Sequence, residues 1–369
     1  MKNGSTFKPL ERQHQQSMSQ SKPIRIGVIG AGTNTKAKHL PLLQEIEGVT
    51  VHGVVNRSEA SSTAVAGEFG IQRIYTSWEE AVDDPNTDAI VIGTWPYLHC
   101  PITLRSFNNG KHVLTEARMA MNASEAQDML STSNQHPHLV AQVVPSPITL
   151  GVDQTIKHLL KSGAIGSLLT IECRHGGDFL APDAPLHWRQ DITKSGLNIM
   201  AMGIYYEAIM RWVGPATKIT ARGKIFTKTR INEKGESHSI QVPEHVDVLA
   251  DLASGAQLHL QESSTTPLRS EEEGIRITGS DGVLLFRGGI LLIAKRGDSQ
   301  FHPLPLSSDR VGSWRVEEEF IGAIRRQEPI THTTFEDGLR YMEFTEAVHR
   351  SMREEKSIGL PLDTIGPSK

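Results

Sequence analysis

The feature that most constrains this chain lies near its start, where a run of β-forming residues meets two closely spaced glycines. Residues 24–29 are Ile-Arg-Ile-Gly-Val-Ile, and residues 30–34 are Gly-Ala-Gly-Thr-Asn. Glycine lets the backbone approach a diphosphate closely, and the N-terminus of a following helix offers free N–H groups to it. An ordinary strand–turn–helix connection shares this pattern, and Thr35 stands where a third glycine is usual. The residues assigned to a dinucleotide on this basis are Gly30, Gly32, Thr33 and Asn34.

Composition limits the class of protein. The 369 residues are enough for two domains, and a net charge of −4 gives no attraction to nucleic acid or to an anionic membrane. No apolar run is long enough to span a bilayer, so we expect neither a membrane nor a nucleic acid as a partner. The sequence has two cysteines and no recognised metal-ligand spacing among its 16 histidines, which predicts a reduced, cytoplasmic protein without a metal. Residues 1–22 are polar, and we expect them to be a disordered tail.

The first half of the chain alternates strand and helix patterns. Short apolar runs without polar alternation, such as Ile24–Ile29 and residues 89–93, are each followed by a helical segment. Strands of this kind are typical of a parallel sheet that is covered on both faces. We therefore predict an α/β fold, with a doubly wound Rossmann domain over residues 23–145.

The pattern changes after residues 145–147, which read Pro-Ser-Pro. Longer alternating segments follow, and they predict a large open sheet, mostly antiparallel, with one covered face. Helices are expected around Tyr205–Trp212 and in residues 314–325 and 335–352. We assign residues 146–369 to a second, α+β domain for substrate binding and oligomerisation.

Four short motifs follow one another along the chain. His-Leu-Pro at residues 39–41 follows the glycines, and Thr-Trp-Pro-Tyr-Leu-His at residues 94–99 ends the fourth strand. Gly-Lys-His-Val-Leu-Thr-Glu follows at residues 110–116, and Phe-Glu-Asp-Gly stands at residues 335–338. This order resembles the glucose–fructose oxidoreductase, inositol dehydrogenase and rhizopine-catabolism family, Gfo/Idh/MocA.

The resemblance implies a Rossmann domain, a C-terminal domain with a large open sheet, and a substrate pocket between them. Members usually oxidise or reduce a secondary alcohol of a sugar or cyclitol with NAD or NADP. The resemblance therefore implies a polyol-type small-molecule substrate. It also implies a homodimer or homotetramer formed through the open sheet.

Further cofactor residues are expected at the carboxyl ends of strands, where ligands of open parallel sheets bind. Trp95 is placed to pack on the nicotinamide or the ribose, although a surface-packing aromatic residue is the alternative. From the resemblance we also expect other residues at these strand ends to bind the cofactor. The residues concerned are Thr94, Trp95, His99 and Glu116.

The end of the second strand bears on the choice between NAD and NADP. An acidic residue there would hold the ribose 2′-hydroxyl of NAD, but this chain has Asn56, Arg57 and Ser58. The guanidinium of Arg57 is suited to a 2′-phosphate, with Ser58 adding a hydroxyl. A solvated loop arginine is the alternative. The sequence slightly favours NADP.

The chain departs from the family at its usual catalytic positions. The family has Glu-Lys-Pro where this chain has Glu116, Ala117 and Arg118. The missing lysine normally orients the substrate and tunes the acid/base. Arg118 could send its guanidinium into the same pocket, or it could be a structural cation near the domain hinge.

A second catalytic motif is also replaced. Ala201 stands at the position of the family's aspartate and Tyr205 at that of its histidine. Tyrosine can exchange a proton, but its ordinary pKa of about 10 calls for a neighbouring cation. An amphipathic-helix residue that faces the sheet is the alternative interpretation of Tyr205.

A dense polar and aromatic segment precedes this motif, with His-Trp-Arg-Gln-Asp at residues 187–191. An aromatic face with polar neighbours suits a hydroxyl-rich ligand, and His187 or Asp191 could supply an acid/base. A loop whose charges pair with each other is the alternative. The predicted catalytic residues are Tyr205, Arg118 and His187, and the predicted substrate-binding residues are Trp188, Arg189, Asp191 and Glu207.

Three functions compete. The leading hypothesis is a nicotinamide-dependent dehydrogenase or reductase with a rearranged catalytic set. The second is a glycoside lyase or hydrolase that uses tightly bound NAD transiently, as some members of the family do. The third is a nucleotide-binding protein without catalysis, since the usual lysine, aspartate and histidine are absent.

Overall fold

A computed structural model describes residues 22–177, 181, 184–265 and 273–363. The predicted disordered tail lies outside these residues, apart from Lys22. The strands within the described ranges are β1 (Ile24–Ile29), β2 (Val49–Val55), β3 (Arg73–Ile74), β4 (Ala89–Ile92), β5 (His112–Thr115), β6 (Ala141–Val143), β7 (Leu168–Gly176), β8 (Ala216–Lys224), β9 (Thr229–Ile231), β10 (Ser237–Ser239), β11 (His245–Leu252), β12 (Gln257–Ser263), β13 (Gly274–Gly279), β14 (Gly282–Arg287), β15 (Ile290–Lys295), β16 (His302–Pro303) and β17 (Ile358–Gly359). The α-helices are α1 (Leu40–Glu45), α2 (Glu59–Phe69), α3 (Trp78–Asp83), α4 (His99–Asn108), α5 (Ala123–Gln135), α6 (Asp153–Lys161), α7 (Ile192–Ser195), α8 (Met202–Val213), α9 (Val316–Ile324) and α10 (Phe335–Glu354).

The first sheet is the predicted Rossmann sheet. Its six strands are all parallel and lie in the order β3-β2-β1-β4-β5-β6. Buried apolar residues on one face pack against α1, α2 and α9, and those on the other face pack against α3, α4, α5 and α10. Double coverage explains why these strands are continuously apolar. The strand order reverses between β1 and β4, and a crevice at such a point is the usual ligand site of this fold.

The second sheet has nine strands in the order β16-β15-β14-β13-β7-β12-β11-β8-β17. Its neighbours are antiparallel except for the central pair of β7 and β12, which is parallel. The prediction of a large, mostly antiparallel sheet is therefore confirmed. The small hairpin of β9 and β10 is an element that the sequence analysis did not predict.

One face of the second sheet is covered and the other is open. Along β11 the inward residues are buried and the intervening ones are not, which is the alternation expected for a one-sided core. Helices α8 and α10 pack on the covered face, and the rings of Tyr206 and Phe344 stack between them with centroids 3.6 Å apart. Each such buried aromatic contributes roughly 1.5–3 kcal/mol.

Two helices connect the halves. The long helix α10 contacts both α5 of the Rossmann half and β8 of the second sheet. Helix α9, which follows the second sheet in sequence, packs on the Rossmann sheet through Val316, Phe320 and Ile321. In the described ranges no helix has the length and apolarity that a membrane crossing needs.

Candidate functional site

The two glycines of the opening motif have different surroundings. Gly30 has a φ of +87°, and a Cβ there would lie 2.6 Å from the backbone N of Thr94. A Cβ on Gly32 would meet only the carbonyl of Gly93, at 3.9 Å. Gly30 is thus required by the protein's own packing, whereas Gly32 leaves open space.

That space belongs to a cleft of about 390 Å³. Gly30, Gly32, Asn56, Arg57 and Trp95 are among its lining residues. The chain becomes helical at Thr33, so first-turn N–H groups lie beside the glycine turn. The cleft therefore has the form and the donors that a diphosphate requires.

The three residues that follow β2 make different contacts. Asn56 holds the glycine turn in place, because its side-chain oxygen accepts a hydrogen bond of 2.6 Å from the Ala31 N–H. Ser58 caps α2 and accepts from the Ser61 N–H at 3.3 Å. The Arg57 side chain is 70% exposed, with its guanidinium 5.4 Å from the Trp95 ring centroid.

Trp95, which follows β4, connects the cleft to the second half of the chain. Its indole stacks on that of Trp188, with centroids 6.1 Å apart and planes 18° apart. The ammonium of Lys194 lies 4.9 Å from the Trp95 ring, and the guanidinium of Arg189 lies 4.4 Å from the Trp188 ring. The structure thus brings predicted cofactor and substrate residues together.

His99 has a different position from its predicted neighbours. It is fully buried, and its two ring nitrogens each lie 3.0 Å from a backbone carbonyl oxygen, one of Thr94 and one of Arg118. It joins the ends of two strands rather than lining the cleft.

Glu116, which follows β5, belongs to a partly buried chain of polar groups. Its carboxylate accepts from Asn34 and lies 3.0 Å from Nε2 of His39. Nδ1 of His39 contacts Glu317, whose other oxygen accepts from the Trp314 indole N–H at 2.7 Å. Burial alone disfavours the charged imidazole, but the two carboxylates outweigh it and raise the pKa of His39 to about 9. The same contacts hold the pKa of Glu116 below its usual range against the effect of burial.

Arg118 is 2% exposed, and its side chain lies against the start of α8. A Cβ on Gly203 would be 3.0 Å from its Cδ, so the absence of a side chain there makes room for the arginine. Burial first, and the positive charge of Arg189 second, lower the pKa of Arg118 to about 9. Its Nε and Nη2 atoms have no hydrogen-bond partner in the described part of the chain.

Tyr205 lies beside two polar residues that the sequence analysis did not select. Its ring is 4.4 Å from that of His175, and Nδ1 of His175 is 3.0 Å from the carboxylate of Glu262. His175 and Glu262 are paired in register on the two central strands. A sequence signal existed, because Glu262 occupies the inward phase set by Leu258 and Leu260, where an apolar residue is expected.

Other predicted residues are engaged in local structure. Nδ1 of His187 accepts from the Arg189 N–H at 3.2 Å, as a cap of a short helical turn. Asp191 caps α7, accepting from the Thr193 N–H at 3.0 Å and pairing with Lys194 at 3.2 Å.

Glu207 lies in a buried network on α8. One carboxylate oxygen accepts from the Ser146 N–H at 2.8 Å and the other from the Thr333 hydroxyl at 2.7 Å. Arg211 lies 3.5 Å from it on the next turn of the helix. The structure does not bring Glu207 to the residues around Tyr205.

The described residues contain no group of three or more histidine, cysteine or acidic side chains that could hold a metal. Both cysteines are buried and free, and burial raises the pKa of Cys100 to about 12.

A doubly wound parallel sheet whose glycine turn lines a cleft defines a dinucleotide-binding protein, here with a second sheet beside the cleft. Residues 24–143 match the model of the Gfo/Idh/MocA oxidoreductase family with its NAD-binding Rossmann fold. Residues 154–285 match the Gfo/Idh/MocA C-terminal domain. The chain belongs to the Gfo/Idh/MocA family, which confirms the predicted resemblance.

Named relatives are distant. An oxidoreductase of Rhizobium meliloti is 27% identical over 190 residues, covering 52% of this chain and 56% of that protein. The trans-1,2-dihydrobenzene-1,2-diol dehydrogenase of Mus musculus is 26% identical over 224 residues, covering 59% of this chain and 64% of that protein. The chain thus spans less than two thirds of the length of either relative.

A solved structure of levoglucosan dehydrogenase, in complex with NADH and levoglucosan, has the same fold. It matches with a TM-score of 0.80 at 20% identity, over 92% of this chain and 100% of that one.

Proposed function

We propose that this protein is a nicotinamide-dependent oxidoreductase that acts on a secondary alcohol or ketone of a sugar, cyclitol or related polyol. The observation that carries the proposal is the cleft at Gly32, where open space and helix N–H groups meet at the switch point of a parallel sheet. Two similar proteins, a dihydrodiol dehydrogenase and a levoglucosan dehydrogenase in complex with NADH, support the same chemistry.

The described residues fit a dinucleotide. The glycine turn, with Thr33 and Asn34, would hold the diphosphate, and Arg57 and Ser58 would face the adenosine ribose. Trp95 and Glu116, both at strand ends, would hold the nicotinamide end. The bound cofactor would supply hydride transfer, and the protein would orient the substrate and move a proton.

We infer that Tyr205 exchanges that proton with the substrate hydroxyl. The resemblance places it at the position of the family's histidine, and its ring lies beside His175, which bonds to Glu262.

We also propose that NADP(H) is preferred to NAD(H). No carboxylate follows β2 before Glu59, and the exposed guanidinium of Arg57 lines the cleft. A planar guanidinium pairs well with a phosphate, which only NADP carries at the ribose.

The open sheet face supports assembly into a homodimer or homotetramer. Leu249 is 58% exposed on this sheet, where it lines a hollow of about 410 Å³. Exposed apolar side chains and an uncovered sheet favour pairing with a second copy. Sedimentation of the wild-type protein and of Leu249→Asp would test this. The two buried thiols support a cytoplasmic location.

The proposed function is tested with purified protein. Titration with NADH and NADPH, followed by calorimetry, should give saturable binding. Nicotinamide absorbance should then change when sugars and cyclitols are added with the oxidised cofactors. Binding without any turnover over a broad panel would count against the oxidoreductase, and absence of binding would remove the dinucleotide site itself.

A further inference from the structure

His175 and Glu262 form a polar pair on the covered face of the second sheet. They stand opposite each other on the parallel strands β7 and β12, in the phase of the buried apolar residues Ile171, Cys173 and Leu260. Burying an ionisable pair is costly, and two well-packed apolar residues of similar size usually stabilise a fold at least as well. The stability of the sheet therefore does not explain this pair.

The contact fixes the orientation of the imidazole. Nδ1 of His175 lies 3.1 and 3.0 Å from the two carboxylate oxygens of Glu262. A carboxylate only accepts hydrogen bonds, so Nδ1 carries the hydrogen and Nε2 keeps its lone pair. Among the residues that the structure describes, Nε2 has no hydrogen-bond partner. A histidine whose tautomer is set by a buried carboxylate is suited to accept a proton at its other nitrogen.

His175 is accessible, unlike its partner. Its side chain is 27% exposed, whereas that of Glu262 is 3% exposed. The described residues do not enclose Nε2. The half-buried ring of Tyr205 lies next to the imidazole, with centroids 4.4 Å apart. A proton can therefore leave this part of the molecule through His175.

The pair lies at the edge of the second sheet that is connected to the cofactor cleft. Strands β7 and β12 are parallel, so their carboxyl ends share this edge. The chain continues from β7 to Trp188, whose ring stacks on Trp95 in the lining of the cleft. Helix α8, which carries Tyr205, begins against the side chain of Arg118, which follows β5 of the Rossmann sheet. The pair thus lies on the side of the cleft where the proposed substrate would bind.

We propose that His175 is the proton acceptor of the reaction and that Glu262 is its positioning residue. This role rests on the proposed oxidoreductase function, with Tyr205 as the group that meets the substrate hydroxyl. A phenol gives up its proton poorly near neutral pH unless a base receives it. The imidazole of His175 is that base.

The proton and the electrons balance in the oxidation of an alcohol. Tyr205 takes the hydroxyl proton of the substrate and passes its own proton to Nε2 of His175. The electron pair of the broken O–H bond becomes the second bond of the carbonyl, while the carbon-bound hydrogen leaves with its own pair as a hydride to the nicotinamide. The carboxylate of Glu262 stabilises the imidazolium, which then returns its proton to solvent.

Activity measurements test the role of the imidazole. Oxidation of levoglucosan, glucitol and myo-inositol is followed with NAD⁺ and NADP⁺, and the fastest combination is used. His175→Ala should lower kcat about a hundredfold and change the substrate KM little, and free imidazole should raise that kcat roughly tenfold. His245→Ala is the matched control and should keep its kcat: His245 is 29% exposed and 2.9 Å from Asp247, but lies on the open face of the same sheet.

Two further variants separate positioning from structure. Glu262→Gln should lower kcat without any response to imidazole, because His175 is still present but in the wrong tautomer. His175→Leu combined with Glu262→Leu gives an apolar pair, so the melting temperature should equal or exceed that of the wild type, with kcat as low as in His175→Ala. If His175→Ala did not fold, this double variant would carry the test of kcat.

The tautomer can be measured without activity. In wild-type protein labelled with ¹⁵N-histidine and free of cofactor, a long-range ¹H–¹⁵N spectrum should show His175 with its hydrogen on Nδ1. The signal is identified by its loss in His175→Gln, whose amide can still donate to Glu262.

The outcomes separate this role from the proposed function. Turnover that survives in His175→Ala, or a hydrogen on Nε2 in the spectrum, would overturn the role of His175 and leave the oxidoreductase intact. A low kcat that imidazole leaves unchanged, together with a destabilised double leucine variant, would mark the pair as structural. A wild-type protein that turns over none of the three alcohols would overturn the proposed function, and the proton role with it.

Discussion

The indole of Trp95 lies stacked on the indole of Trp188, with ring centroids 6.1 Å apart. Trp95 follows the fourth strand of the Rossmann sheet, and Trp188 lies in the segment between the second sheet's strand β7 and helix α8. The stack therefore joins the proposed cofactor cleft to the proposed substrate side through two rigid rings. Because both rings carry a cation on one side, neither is an isolated surface aromatic.

The stack should be measurable as a coupling energy. Trp95→Ala and Trp188→Ala should each lower the free energy of unfolding, and the double variant should lose about 0.5–1.5 kcal/mol less than the sum of the two. Urea unfolding followed by circular dichroism gives the three values. Trp212, whose indole N–H donates to Asp153, provides a distant control: Trp212→Phe combined with Trp95→Ala should be additive. Strict additivity for Trp95 and Trp188 would contradict a direct contact.

The two glycines of the opening turn should respond to alanine in opposite ways. Gly32→Ala places its methyl group in the cleft and against nothing closer than 3.9 Å, so the melting temperature should hold while dinucleotide affinity falls at least tenfold. Gly30→Ala meets the Thr94 backbone at 2.6 Å with a φ of +87°, so it should destabilise the fold itself. Calorimetric titration and thermal unfolding of both variants separate the two effects. Undiminished affinity in a folded Gly32→Ala protein would mean that the diphosphate does not lie there.

The Rossmann half could be predicted because its signals are local. The apolar run of Ile24–Ile29 forms β1, and Ser77 caps α3 with its hydroxyl, as its position before the helix predicts. The covered face of the second sheet could also be predicted from alternation. The parallel pairing of its two central strands could not, since no local pattern records which strands become neighbours.

The candidate site was less accessible to sequence reasoning. His39 and Glu317 are 278 positions apart, and only the packing of α9 on the Rossmann sheet brings them together. Asp191 was expected to face a substrate, but an aspartate before a helical segment is also a cap, and the structure shows it bonded to Thr193. Glu262 could have been selected from the sequence, because it is a charged residue at a position of β12 where the alternation calls for an apolar one. Matching short motifs does not detect such a position.

Arg57 should decide the choice of cofactor. With its guanidinium exposed in the cleft, the wild-type protein should bind NADPH more tightly than NADH, and Arg57→Glu should reverse the order by at least tenfold through repulsion of the 2′-phosphate. Arg222→Glu, at a side chain 76% exposed that pairs with the exposed Glu355 and does not line the cleft, is the charge-matched control. Equal loss of both cofactors in Arg57→Glu would show that this side chain does not distinguish the ribose ends.

His39 should give the protein a pH-dependent stability above neutrality. Its folded pKa of about 9 exceeds the ordinary value of 6.5, so its ion pairs with Glu116 and Glu317 contribute fully below pH 6.5 and are lost as pH rises through 9. The wild-type protein should lose about 3 kcal/mol of unfolding free energy over that interval, measured by urea titration at each pH. His39→Gln should be less stable at pH 6 and nearly flat over the same range. His112→Gln is the matched control: burial lowers the pKa of His112 to about 4, so this histidine is neutral throughout the interval and the wild-type slope should persist. If the unfolding free energy of His39→Gln changed with pH as steeply as that of the wild type, another group would bind the proton. Glu116 would then not be paired with a charged His39 imidazole.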